Sequence, residues 1–297
     1  MRRLALVALL LLLGACGQRQ RPPVTNSPKF VVGDPYQQNG VWRYPRAEYG
    51  VDLTGLATIA PDHTGLTADG EIFDQTAMAA GHRTLQLPAI VRVTNLENGR
   101  QVLLRLNDRG PPQPSRMVSL TKRAASLLDI RSDGTRVRVQ MQDTETRQLQ
   151  AELSSDGPKL DVASVPRGAI ATESLAAPNG AGQSQRVRVA AARPEPVTRD
   201  VVAISAVPLR LPEVASQVYA GRGSLFIDAG SFGRQDYASI LSGRLSYLGA
   251  RLTTSYTAPR ERAYRIRIGP FATVPEAEAM LERTISAGVN DAAIVVE

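Results

Sequence analysis

The stretch that leaves this 297-residue chain the least freedom is a pair of alternating apolar and polar runs around a turn. Ile90-Val91-Arg92-Val93-Thr94-Asn95-Leu96 and Gln101-Val102-Leu103-Leu104-Arg105-Leu106 flank Glu97-Asn98-Gly99-Arg100. Alternation with a period of two turns one face of each run into a core and the other outward. An Asn-Gly pair accepts the left-handed backbone that a tight turn needs. The spacing predicts an antiparallel hairpin over residues 90–106. Shorter strands are expected at Gly55–Ile59, Arg116–Leu120 and Thr135–Met141, with one short helix from Thr121 to Leu128 opening at a Thr cap. A single helix among many short strands points to a mainly-β, closed barrel.

Three polar pieces surround the hairpin: Thr67-Ala68-Asp69-Gly70-Glu71, Ala79-Ala80-Gly81-His82-Arg83-Thr84-Leu85 and Asn107-Asp108-Arg109-Gly110-Pro111. The hairpin puts Asp108 just past its second strand and Glu71 and His82 on loops before its first, so a small barrel can gather all three at one end. Together with Val93-Thr94-Asn95-Leu96-Glu97-Asn98-Gly99-Arg100, these pieces resemble in order and spacing the rare lipoprotein A family of septal lytic transglycosylases, over about Tyr49 to Met141. The resemblance implies a six-stranded double-psi β-barrel with Glu71, His82 and Asp108 as catalytic positions and no cofactor. His63 and His82 are the only histidines and there is one cysteine, so no metal is expected.

Such an enzyme cleaves the MurNAc–GlcNAc bond of peptide-stripped peptidoglycan strands and leaves 1,6-anhydro-MurNAc ends, because the sugar's own 6-hydroxyl replaces water. One acid that later serves as base suffices, and Glu71 is expected in that role, oriented by Asp108 and His82. Arg83 and Arg109 are expected to meet lactyl carboxylates. A bland reading makes Asp108 a cap for the Gly110-Pro111 turn, His82 a partner of a loop carbonyl and Glu71 a surface acid. A non-catalytic septal peptidoglycan-binding lipoprotein, or a water-using glycosidase with Glu71 and Asp108 as its acid pair, fits the same residues. The family's aromatics after the first barrel glycine are replaced by Thr58-Ile59-Ala60-Pro61, and its aspartate after the Arg116 strand is replaced within Ser119-Leu120-Thr121.

The N-terminus reads Met1-Arg2-Arg3, then an apolar core Leu4 to Leu13 too short to span a bilayer, then Leu13-Gly14-Ala15-Cys16. This is the pattern of a signal peptide (1–16) ending in a lipobox, with Cys16 as the lipidated residue and membrane anchor. Gly17, rather than Asp, after that cysteine implies sorting to the outer membrane. The net charge of +7 would suggest nucleic acid, but residues 1–47 alone carry +6 of it, so no nucleic-acid partner is expected. Residues 17–47 are read as a tether, 48–143 as the barrel and 144–220, rich in Ser, Ala, Pro and Gly, as a disordered linker. Tyr36, Trp42 and Tyr44 are expected to dock the tether on the barrel.

Residues 221–297 alternate strand, helix, strand, strand, helix, strand, an α+β, ferredoxin-like order (βαββαβ). Ala229-Gly230-Ser231-Phe232 and Tyr264-Arg265-Ile266-Arg267-Ile268-Gly269-Pro270-Phe271 resemble the SPOR domain, which binds peptide-stripped glycan. On the exposed sheet face, Asp228, Arg265 and Arg267 are the expected glycan contacts, although a Gln is usual where Asp228 stands. Enrichment at the septum and contacts with division-site proteins complete the expectation for this multidomain chain.

Overall fold

A computed structural model describes residues 26–154, 211–258 and 261–297. The expected hairpin is β5 (Ala89–Asn95) against β6 (Arg100–Asp108), paired antiparallel with Val93 opposite Val102. Around it lie β3 (Asp52–Ile59), β4 (Ala79–His82), β7 (Val118–Leu120) and β8 (Thr135–Met141). The order β4-β7-β3-β8-β5-β6 closes because β6 also pairs with β4. The six-stranded barrel is therefore present. Its ladder is mixed: β3–β7 and β4–β6 are parallel and the other pairs antiparallel. Inward side chains at alternate positions, among them Leu104, Leu106, Val91, Val93, Val137 and Val139, fill one apolar core.

β4 was expected to be loop. Its Ala-Ala-Gly-His sequence carries no alternation, yet it joins β6 and β7 and completes the ring. A Cβ on Gly81 would lie 2.6 Å from the Ser119 hydroxyl, so only glycine lets the strands approach here. The short helix α1 (Lys122–Leu127) forms as expected, Thr121 accepting from the Ala124 N–H at 3.3 Å.

Two boundaries differ from the sequence reading. The expected linker begins at residue 144, but Asp143–Ser154 is a helix, α2, docked on the barrel. Thr146 exchanges hydrogen bonds with the N–H and C=O of Ile90, Gln150 donates to the Pro88 carbonyl, and Arg147 stacks over the ring of Tyr49 at 3.7 Å. These contacts are polar, so no apolar period announces the helix. At the other end Leu211 and Ala215 pack against the barrel core, and β9 (Ser216–Gln217) pairs with β6. The Asn98-Gly99 turn sits beneath this return: Gly99 has φ +74°, and its absent Cβ would be 1.9 Å from the Val218 carbonyl oxygen. The rest of the expected linker, like residues 1–25 with Cys16, lies outside the described residues.

The expected tether also has structure. β1 (Tyr36–Gln38) and β2 (Val41–Arg43) form a hairpin on Asn39-Gly40, both with positive φ, the turn type that an Asn-Gly pair favours. Tyr36 docks by donating to the Arg83 carbonyl at 2.9 Å, whereas Trp42 and Tyr44 stay exposed.

The C-terminal domain runs β10 (Leu225–Phe232), α3 (Gln235–Arg244), β11 (Arg251–Ala258), β12 (Glu261–Phe271), α4 (Val274–Ser286) and β13 (Ala293–Val296). Its antiparallel sheet has the ferredoxin-like order β11-β12-β10-β13. Thr273 and Glu276 cap α4 reciprocally, and Gly288 (φ +92°) follows its end. Leu225, Ile227, Ile266 and Ile268 are buried. Leu56 of the barrel belongs to the same apolar cluster as Leu225 and Ile227, and Thr54 bonds both the N–H and C=O of Val296, so the two domains pack together.

Candidate active site

The loop carrying the first acid is folded by its own polar groups. The Thr67 N–H donates to the Glu71 carbonyl at 2.7 Å and the Gly70 N–H to the Thr67 carbonyl at 3.0 Å. Asp69 is fully buried: its Oδ1 accepts from the Thr67 hydroxyl (2.7 Å) and the Glu71 N–H (3.2 Å), while its Oδ2 has no partner. Burial, and after it the neighbouring Glu71 carboxylate, push the Asp69 carboxyl up to about 7, against the pull of its hydrogen bonds. Asp69 stands inside the motif, but its sequence position as a turn residue gave no sign that it is buried.

The loop turns Glu71 onto β6. Its Oε2 accepts from Arg105 (3.0 Å) and Asn107 (2.8 Å). Its Oε1 lies 2.9 Å from the same Arg105 nitrogen but has no aligned hydrogen bond, so that contact is electrostatic. Arg105 is an outward position of the predicted strand and Asn107 lies just past its end, and nothing in the alternation marks them as partners of an acid 34 and 36 positions away. The Glu71 carboxyl lies in the floor of a hollow of about 460 Å³ with Met78, Arg105 and Asn107, walled in part by Leu211 and Glu213 from the end of the expected linker.

Asp108, at the end of β6, lies in an adjoining notch with Phe73 and Ser119, and Asp74, Ala79 and Asn107 border both spaces. Its Oδ1 accepts from the N–H groups of Ala68 (3.0 Å) and Arg109 (2.8 Å). Its Oδ2 is 4.0 Å from Nε2 of His63, whose ring stacks on Phe73 with centroids 3.8 Å apart. Sequence reasoning considered His63 only as a metal ligand. The signal that could have found it is its place four residues ahead of Thr67, on the approach to the first motif.

His82 does not join the acids. Its Nδ1 accepts from the N–H groups of Thr84 (3.3 Å) and Leu85 (3.2 Å), and the ring faces a different cleft. Burial first, then Arg83 and Arg109, push it down to about 3, so the imidazole is neutral at any working pH. It pins a turn beside Asp108, whose backbone pairs with Gly81.

Arg83 and Arg109 each hold backbone carbonyls. Arg83 donates to the carbonyls of Pro114 and Arg116, and Arg109 to those of Leu85 (2.5 Å) and Val32 (2.5 Å). Their guanidiniums hold loops together, because buried carbonyls outside a ladder need donors.

In the C-terminal domain Asp228 stands opposite Arg267 in the β10–β12 register, and Ser231 opposite Arg265. Asp228 accepts from the Gly230 N–H at 2.9 Å, and Arg267 pairs with Glu297. Asp228, Arg265 and Arg267 alternate with buried neighbours, as expected for the outer face of this sheet.

Comparison with known proteins matches the two domains separately and together. The family described as lytic transglycolase matches residues 54–141, and the SPOR domain matches residues 221–295. The endolytic peptidoglycan transglycosylase RlpA of Pseudomonas aeruginosa is 31% identical over 256 residues, covering 83% of this chain and 71% of that protein. The protein of the same name from Escherichia coli is 47% identical over 87 residues, 29% of this chain and 24% of its own. A crystal structure of the RlpA SPOR domain from Pseudomonas aeruginosa aligns with 25% of this chain and 99% of its own, at 23% identity and a TM-score of 0.23.

Proposed function

This chain belongs to the RlpA family of lytic transglycosylases, and from that premise we propose that it cleaves the MurNAc–GlcNAc bond within peptide-stripped peptidoglycan strands and leaves 1,6-anhydro-MurNAc ends. The observation that carries this reading is the placing of two carboxyl groups, Glu71 and Asp108, in adjoining hollows that share Asp74, Ala79 and Asn107.

Glu71 gives its proton to the leaving glycosidic oxygen and then takes one from the muramic 6-hydroxyl as that oxygen attacks C1, so no water enters the product. Arg105 and Asn107 fix its carboxyl for both steps. Asp108, its Oδ1 pinned by two backbone amides, presents Oδ2 to the positive charge that develops on the sugar ring. His63 lies beside it, Nε2 4.0 Å from Oδ2, and helps to orient that carboxylate. His82 acts as a positioning residue through the turn it holds.

The sheet face with Asp228, Arg265 and Arg267 captures stripped glycan. Cys16 carries the lipid anchor that places the enzyme on the periplasmic face of the outer membrane, and glycan capture concentrates it at the septum. The test is mass analysis of products from the purified chain, without residues 1–16, acting on amidase-stripped strands. Products lighter by one water than hydrolysis products support the reading. Reducing ends would replace it with glycoside hydrolysis, and binding without products would replace it with a non-catalytic glycan-binding protein.

A further inference from the structure

The barrel and the C-terminal domain meet at a cleft of about 320 Å³ that neither the carboxyl pair nor the outer sheet face explains. Arg43, Arg46, Arg83 and Arg116 line it, and the only carboxylate among its lining residues is Asp291. Three of these arginines are engaged. Arg46 pairs with Glu48, Arg83 donates to two carbonyls, and Arg116 bridges Asp133 and Glu278.

Arg43 is different. It is only 7% exposed, its Nε has no hydrogen-bond partner, and the nearest carboxylate oxygen, Asp291 Oδ1, is 4.0 Å from Nη1 on a side chain 84% exposed to solvent. A guanidinium buried without a close counter-ion is costly. Its charge is also felt next door, since burial and then Arg43 pull Arg83 down to about 10. The cleft therefore presents a buried guanidinium whose one counter-ion is distant and solvent-exposed. A planar guanidinium is best matched by a carboxylate. Tyr44, 57% exposed on the cleft wall, offers a ring face on which a pyranose can lie.

We propose that this interdomain cleft binds one carboxylate-bearing sugar of the glycan strand, a muramic residue whose lactyl group pairs with Arg43 while its ring rests against Tyr44. The ligand class rests on the peptidoglycan reading above. A strand seated here passes between the two domains, and the enzyme recognises a sugar other than the ones it cuts between.

The test is methyl NMR of the chain from residue 17 onward. Met117 lines this cleft and Met78 lines the Glu71 hollow, so one sample reports on both sites. N-acetylmuramic acid should shift the Met117 methyl in a saturable way, and N-acetylglucosamine should not. Arg43→Gln should weaken that binding about tenfold, in line with the loss of a charge-assisted hydrogen bond. Asp291→Asn, at an exposed position where folding is not at risk, should tighten it two- to threefold by removing the competing carboxylate, an effect of about 0.5 kcal/mol. A Met117 methyl unmoved by N-acetylmuramic acid, equal response to both sugars, equal response to lactate alone, or unchanged affinity in both variants each overturns the proposal. Turnover plays no part in this readout, and shifts confined to Met78 would sustain the catalytic reading while removing this one.

Discussion

The barrel end around Glu71 and the outer face of the C-terminal sheet use the same residue types in opposite ways. In the barrel, Asp69, Glu71 and Asn107 are buried, and their partners are backbone groups, each other, or the side chains of Thr67 and Arg105. On the sheet, Asp228, Arg265 and Arg267 stay partly open to solvent, and Arg267 pairs with a chain-terminal glutamate that is itself half exposed. Burial without water strengthens every charge interaction and fixes geometry, which suits bond breaking. Partial exposure leaves charges screened and adjustable, which suits holding a long polymer at many positions. Burial, more than residue identity, separates the two regions.

The sharpest way to break this contrast is Glu71→Gln. The amide keeps size and can still pair with Asn107 but cannot exchange the proton, so turnover should fall about 10²–10⁴-fold with folding and glycan binding intact. Retained activity in a folded variant would remove Glu71 as the acid.

A second prediction concerns Asp69. Its folded value of about 7 lies above the ordinary carboxyl value of 3.8, so the folded state holds a proton that the unfolded state has released. Stability should therefore be greatest below about pH 4 with respect to this group and decline as pH rises toward 7, by about 2–4 kcal/mol for a shift of this size. Asp69→Asn should flatten that decline and raise the melting temperature at pH 8. A wild-type stability curve flat between pH 4 and 7, in an Asp69→Asn comparison that shows no difference, would contradict it.

Third, His63→Ala should lower kcat about tenfold with little change in KM, since it withdraws the orienting group from Asp108 without altering a sugar contact. His82→Ala should instead lower the melting temperature together with activity. If the two variants behave alike in both assays, the distinction between an open and a sealed imidazole fails. The smallest effect is expected on the sheet: Arg265→Gln should weaken binding to stripped strands about two- to threefold at low salt and less as salt rises. A salt-independent loss would show that this face binds by something other than charge.

How much of this was legible beforehand depends on whether the deciding contact is local. The hairpin 90–106 could be read because alternation and an Asn-Gly turn are properties of neighbouring residues. β4 could not, because its strand status comes from two partners and from Gly81 admitting Ser119. α2 was missed because polar side chains bonded to Ile90 and Pro88 hold it, and an Asn39-Gly40 turn was passed over within a segment read as tether. At the site, the motifs located Glu71, Asp108 and His82. The sealing of His82, the burial of Asp69 and the approach of His63 to Asp108 arise only when loops distant in sequence are laid against one another.

The return of the chain at β9 has a consequence for reach. α2 ends at Ser154 and β9 pairs with the barrel strand β6, so both of these elements belong to the barrel and the reach toward the C-terminal domain starts only after Gln217. Beside the packing of Leu56 and Thr54 against it, the C-terminal domain is held by the span from Gln217 to Leu225, which even fully extended covers only about 25–30 Å. If the C-terminal sheet takes hold of a strand as proposed above, the barrel is confined to within a few sugars of that grip.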